Sequence, residues 1–159
     1  GEDNGYQHLY LEGKGMAAGH NTKFSWLNNG KYYTITSVTN NDDEVLLTRI
    51  GANDPEFNLR RDPGIILRRT DTQDTLFVSV VEPHGSYSPV SESSQNSKSS
   101  ITDLKVVLDS DEYTGVSITD IKGEKQLFII SNVSVSKNAK HSVKIDGKKV
   151  SWTGPYFYQ

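Results

Sequence analysis

The sequence predicts an all-β fold, an antiparallel β-sandwich of roughly ten to twelve short strands. Three observations carry this. Short segments that alternate apolar and polar residues recur along the whole chain, separated by turn residues. No segment sustains a 3.6-residue apolar period over about ten positions, and no repeat of fixed length is present. The apolar fraction is 34% and the mean hydropathy is -0.58, which suits a thin two-layer architecture better than a thick helical core. At 159 residues the chain has the length of one domain. A compact chain of that size buries roughly 70% of its unfolded surface without needing staples. Residues 1–159 are therefore read as a single β-sandwich domain, with a small C-terminal β subdomain from about residue 101 as a variant of that reading.

The elements follow in order. "YQHLYLEG" alternates Tyr6, His8, Tyr10 and Glu12 against Gln7, Leu9 and Leu11. "KFSWL" runs into "NNGK" (28–31), whose Asn-Gly pair tolerates the positive φ of a tight hairpin turn. "KYYTITSV" sets Tyr33, Ile35 and Ser37 against Tyr32, Thr34 and Thr36. "EVLLTRI" and "GIILRR" are further strands. "DTLFVSVVEP" is apolar on both faces from Leu76 to Val81, which predicts a central place in a sheet. Residues 88–100, "SPVSESSQNSKSS", hold seven serines in thirteen positions and read as an exposed connection, either a plain surface loop or a substrate lid. Strands resume with "ITDLKVVLDS", "YTGVSITDI", "KQLFIISNVSVS" and "HSVKIDGKKVSW", the last turning at Asp146-Gly147. "GPYFY" closes the chain.

Composition narrows the function classes. The net charge is -3, from 17 basic and 20 acidic residues well mixed along the chain. No basic arm or zinc-finger spacing is present, so no nucleic-acid partner is expected. There are no cysteines, which rules out disulfides, thiolate metal sites and a Cys nucleophile. No apolar run approaches the roughly 20 residues of a membrane-spanning helix, and no signal-peptide pattern is read at the start. Gly1 before Glu2-Asp3-Asn4, without an initiator Met, reads as a tag scar on a piece of a longer protein.

Two stretches stand out as candidate sites. "GANDPEFNLRRDP" (51–63) interrupts the alternation and collects Asn53, Asp54, Asn58, Arg60, Arg61 and Asp62 around two prolines. The Asp-Pro steps are turn formers. Arg60 and Arg61, with Arg68 and Arg69 nearby, offer a fork for carboxylates or sulfates; alternatively they pair with Asp54, Asp62 and Glu82 to stiffen the loop. "VEPHGSY" ends a strongly apolar strand, where Pro83 and Gly85 are expected to lead the backbone out of the ladder. His84 and Tyr87 then form either an acid–base pair or, with Glu82, a hydrogen-bonded corner. The remaining histidines, His8, His20 and His141, show no metal-ligand spacing with one another or with His84, so neither a metal nor a cofactor is expected. There is no GxSxG, and "GKG" (13–15) lacks the context of a phosphate loop. Trp26, Tyr32, Tyr33, Trp152, Tyr156 and Tyr158 are suited to stacking on sugar rings and equally to filling a sandwich core.

The order "YQHLYLEGKG", "FSWLNNGKYYTITS", "IGANDPEFNLRRDPGIILRR", "LFVSVVEPHGSYSPVSE" resembles the heparinase II/III-like polysaccharide lyases, and among them the family 17 oligoalginate lyases. The similarity runs from about residue 6 to residue 92 and extends more weakly to the end. The resemblance implies a bacterial periplasmic or secreted enzyme that cleaves uronic-acid glycans by β-elimination, with an N-terminal helical toroid followed by an antiparallel β region. It implies that the catalytic Asn, His and Tyr and the class's metal site lie in earlier parts, so no catalytic or metal-binding residue is carried onto this chain. The expected partners are the toroid and an acidic polysaccharide or oligosaccharide. On this reading the chain supports the toroid and is inactive alone, with the 51–63 and 82–87 stretches facing the interdomain surface or the cleft rim. A different class of function is an independent acidic-glycan-binding module, using Arg60, Arg61, His84 and exposed aromatics. A third is a purely structural immunoglobulin-like domain.

Overall fold

The computed structural model describes residues 9–51 and 62–159. Among them are thirteen strands, all in antiparallel sheets, and no helix. In chain order they are β1 (Leu9–Met16), β2 (Asn21–Asn28), β3 (Lys31–Val38), β4 (Glu44–Ile50), β5 (Asp62–Arg68), β6 (Ser79–Ser88), β7 (Ser93–Gln95), β8 (Ile101–Asp109), β9 (Tyr113–Asp120), β10 (Lys125–Ser131), β11 (Lys140–Ile145), β12 (Lys148–Thr153) and β13 (Tyr156–Tyr158). The fold class is the one the alternation predicts. The chain divides into two compact units, one of residues 1–20 and 39–75, the other of residues 21–38 and 76–159. No shift in composition marks these boundaries.

The first unit is a three-stranded sheet in the order β1-β4-β5. Cross-strand partners share a face. One face therefore carries Leu11, Ile50 and Ile66, and the other Tyr10, Leu47 and Ile65, all of them exposed. Asp62 and Pro63 were expected in a loop. They instead open β5, opposite Ile50 and Arg49. β5 is the edge strand of this sheet, and an edge strand is where a proline's missing N–H is tolerated. The loop reading missed this because Asp-Pro is a turn signal only when no neighbouring strand takes up the extended backbone that it also favours.

Past the ends of β4 and β5 lies a buried ion pair. The Asp43 side chain is fully buried and Arg69 is 13% exposed. Arg69 Nε donates to Asp43 Oδ1 (2.7 Å) and a terminal nitrogen donates to Oδ2 (2.6 Å), a bidentate fork. The Asn40 N–H also donates to Oδ2 (2.8 Å), and the Ala17 N–H to the Asp43 carbonyl (2.9 Å). The Arg69 hydrogen bond, opposed by burial and aided by Asn40, holds the Asp43 carboxyl below its ordinary range. Arg68 pairs with Glu44 on the same strands.

The second unit is the sandwich. One sheet has the order β2-β3-β6-β7, the other β13-β10-β9-β8, and β11-β12 is a separate hairpin. Both two-residue hairpin turns behave as their Asn-Gly and Asp-Gly pairs require: φ is 50° and 73° at Asn29 and Gly30, and 50° and 78° at Asp146 and Gly147. The two sheets are tied through β8. Asn21 brackets Leu104, its amide donating to the carbonyl (2.8 Å) and accepting from the N–H (2.9 Å), and Lys23 Nζ donates to the Ile101 carbonyl. Leu104 and Ile129 are completely buried, as is Thr36, with Thr34 nearly so. Beyond these the apolar cover is thin. An apolar cleft of about 480 Å³ separates Leu76–Val80 from Val116, Ile118, Phe128, Ile130 and Tyr158.

Two strand expectations need correction. The apolar run from Leu76 does not begin a strand; β6 starts at Ser79, runs on through "EPHGSY" and ends at Ser88. It is internal to its sheet, but Val81 stays 55% exposed. The serine-rich connection also contains a strand, β7, which pairs with the end of β6.

Removing one partner of a buried pair leaves an uncompensated charge, a loss of about 3–5 kcal/mol. Asp43→Asn should therefore lower the urea unfolding midpoint by a corresponding amount, whereas Glu44→Gln, at an exposed pair, should shift it by less than about 1 kcal/mol. Equal small shifts in both variants would show that the Asp43–Arg69 pair contributes nothing.

Candidate functional site

Of the candidate residues, Asn53, Asp54, Asn58, Arg60 and Arg61 lie outside the described residues. The segment that carries them joins adjacent antiparallel strands, leaving β4 after Ile50 and returning at its partner Asp62. The arginines beside it are committed elsewhere. Arg68 serves Glu44 and Arg69 serves Asp43. Glu82, the third acid proposed for them, binds serines instead.

His84 and Tyr87 lie within β6, so "EPHGSY" is not a strand-to-loop exit. The pairing with β3 runs Pro83↔Tyr33 and His84↔Tyr32, then shifts so that Ser86 faces Lys31. Gly85 is the extra residue of this β-bulge, with φ at 39°. A Cβ there would lie 2.1 Å from the Asn96 carbonyl oxygen and 2.3 Å from that of Gln95, so only glycine fits. The bulge keeps the ladder running where the sequence signals a break, because Pro83 and Gly85 are absorbed into the irregularity.

On one face of this strand the polar side chains are paired in series. His84 Nδ1 donates to the Asn96 carbonyl (2.8 Å), and Nε2 shares a hydrogen bond with Thr34 Oγ1 (2.8 Å). Thr34 Oγ1 is in turn 2.7 Å from Ser25 Oγ. Tyr32 stacks on the His84 ring at 6.1 Å, and its hydroxyl meets Ser94 Oγ at 2.7 Å. Glu82 accepts from the Ser100 N–H (3.0 Å) and from the Ser99 and Ser100 hydroxyls. Burial pushes the Glu82 carboxyl up, but the Ser100 and Ser99 hydrogen bonds and the nearby His84 outweigh it and hold the carboxyl below its ordinary range. Both ring nitrogens of His84 are hydrogen-bonded, to Thr34 and to the Asn96 carbonyl. This network pins β6, β7 and the start of β8 to β3.

His141 lies in a second aromatic group. It is 8% exposed, stacks on Trp152 at 5.1 Å and is 3.2 Å from the Tyr113 hydroxyl through Nδ1. Trp152 also contacts Phe157 at 6.1 Å, so the β11-β12 hairpin is packed against β9 and β13. Among the described residues no three His, Asp or Glu side chains stand together as a metal site.

The opposite face of β2, β3 and β6 holds a group that reading residues singly does not reveal. Trp26 stacks on Tyr33, with centroids 5.5 Å apart and planes at 14°. Asn28 and Lys31 sit beside them at the hairpin end. The signal was present in the turn, since a two-residue Asn29-Gly30 loop dictates the Asn28↔Lys31 and Trp26↔Tyr33 pairings.

The chain matches no family model. It is 33% identical over 156 residues to an alginate lyase of Stenotrophomonas maltophilia (strain K279a), covering 98% of this chain and 21% of that protein. It is 29% identical over 157 residues to an exo-oligoalginate lyase of Saccharophagus degradans, covering 97% and 21% respectively. The chain is thus homologous to one segment of alginate lyases. It spans about a fifth of the length of the curated relatives it matches.

Two measurements check the geometry of β6. Gly85→Ala places a Cβ against backbone at a positive φ, and should destabilise the second unit by about 2 kcal/mol or more, read from its thermal melt. Wild-type stability here would mean that the bulge is not formed as described. Because the folded Glu82 carboxyl titrates lower than in the unfolded chain, its contribution is full above the unfolded value and is lost as pH falls through the folded one. Glu82→Gln should accordingly flatten the loss of stability with acid below about pH 4.5. An unaltered acid limb in the variant would remove Glu82 from the account.

Proposed function

We propose that the chain is the C-terminal β-sandwich domain of a heparinase II/III-like polysaccharide lyase, closest in kind to the family 17 oligoalginate lyases. The observation that carries this is the match of nearly the whole chain to about a fifth of two alginate lyases. On this reading the parent acts by β-elimination on uronic-acid glycans such as alginate oligosaccharides, in the bacterial periplasm or outside the cell. Its catalytic groups stand on a helical toroid and an earlier β region, and this domain supports them.

The distribution of apolar surface fits a domain that works against a larger body. Among the described residues, four hydrophobic side chains are buried, whereas nineteen large ones are exposed. Those in the first unit occupy both faces of a single sheet, an arrangement that elsewhere belongs to a layer covered on both sides. Phe77, Phe128 and Ile130 line the open apolar cleft of the second. The β4–β5 connection, with Arg60 and Arg61, is assigned to the interdomain surface or the cleft rim.

Incubation of alginate oligosaccharides with the chain alone should yield no unsaturated uronate, while the full-length parent should produce it. Turnover by the chain alone would overturn the supporting role. In the parent, Arg60→Ala should lower thermal stability if the arginine braces the interface, or raise KM or lower kcat at unchanged stability if it meets substrate. A variant unchanged in both would remove Arg60 from either role.

A further inference from the structure

The face of the β2-β3-β6-β7 sheet turned away from β8 is arranged in rows. Lys23 and Asn21 bond to β8 from one face of β2, so Phe24, Trp26 and Asn28 occupy the other. The register then aligns Phe24, Ile35 and Val81 in one row, Trp26, Tyr33 and Pro83 in the next, and Asn28, Lys31, Ser86 and Gln95 in the last. The Gly85 bulge brings Ser86 into that last row, since without it Ser86 would not be opposite Lys31. Successive rows stand about 7 Å apart along the strands.

These rows differ in chemistry. The middle row is a near-parallel aromatic pair ending on β2, the edge strand of this sheet among the described residues, and Trp26 is 39% exposed. The last row is exposed and offers two amides, a hydroxyl and one ammonium. Lys31 has no acidic partner among the described residues, and none of the aligned residues on this face is acidic. Glu82 points to the opposite side, toward Ser99 and Ser100.

We infer that this face is a binding site for an anionic glycan, with a uronate ring stacked on the Trp26–Tyr33 pair and its carboxylate at Lys31. A pyranose ring is apolar on its C–H faces and polar around its rim, which matches an aromatic row bordered by amides and a hydroxyl. One row of separation is within reach of a lysine side chain from a ring seated on Trp26. Lys31 has no acidic partner among the described residues, and a uronate carboxylate supplies its counter-charge. The site uses none of the residues of the 51–63 connection, and it goes beyond the supporting role proposed above.

The test is an NMR titration of the ¹⁵N-labelled chain with a defined alginate oligosaccharide, with a neutral cello-oligosaccharide as comparator. Saturable shifts confined to residues 24–35 and 81–86, and much weaker ones with the neutral sugar, are expected. Trp26→Ala should abolish them. Lys31→Glu, a change at an exposed turn position that leaves the spectrum's dispersion intact, should weaken binding by about fivefold or more, as the loss and reversal of one exposed charge pair implies. Absence of saturable shifts, shifts centred on another face, or undiminished binding by Lys31→Glu would each overturn the inference. None of these outcomes bears on lyase activity of the parent, so the two readings fail separately.

Discussion

The first unit depends on one fork of charge, Arg69 on Asp43. A carboxylate with no exposed surface is tolerable only if its lone pairs are matched, and Arg69 and the Asn40 N–H match them. The same Asp43 carbonyl receives the Ala17 N–H, so one residue joins the segment after β1, the turn before β4 and the segment after β5. Among the described residues, this three-stranded sheet carries exposed apolar side chains on both faces. The ion pair and the ladder hydrogen bonds hold the arrangement that burial would hold in a thicker domain.

In the second unit the corresponding constraint is the path of β6. This strand must pass a proline and a glycine while remaining paired to β3, and the bulge at Gly85 is the solution. Its consequences differ on the two faces. On the inner face it directs His84 to Thr34 and to the Asn96 carbonyl, which fixes β7 and the serine-rich connection. On the outer face it aligns Ser86 with Lys31. A single backbone irregularity thus builds both the positional network and the polar row beside Trp26.

The chain is homologous to about a fifth of two alginate lyases, and among the described residues few apolar side chains are buried. Hydrophobic area left in water favours association. The exposed surfaces are not alike, however. The cleft at Phe77, Phe128 and Ile130 is apolar and suits protein, whereas the Trp26 face mixes aromatic and polar rows and carries Lys31, which has no acidic partner among the described residues.

Much of this was legible in the residues themselves. β-branched and aromatic residues between turn signals marked the strands at "KYYTITSV" and "EVLLTRI", because such side chains favour extended backbone. Asn29-Gly30 and Asp146-Gly147 determined their hairpins, because few residue pairs accept two successive positive φ angles. The resemblance pointed to a lyase relative, although it left the roles of particular residues open. Tertiary structure alone decided the rest. Whether Pro63 and Gly85 end a strand or lie inside one depends on the neighbouring strand, which local propensity does not contain. Whether Arg69 is a ligand fork or a strut depends on Asp43, 26 residues away in the chain. Pairing over that distance follows from which buried charge lacks a partner, and that is settled only when the strands have come together.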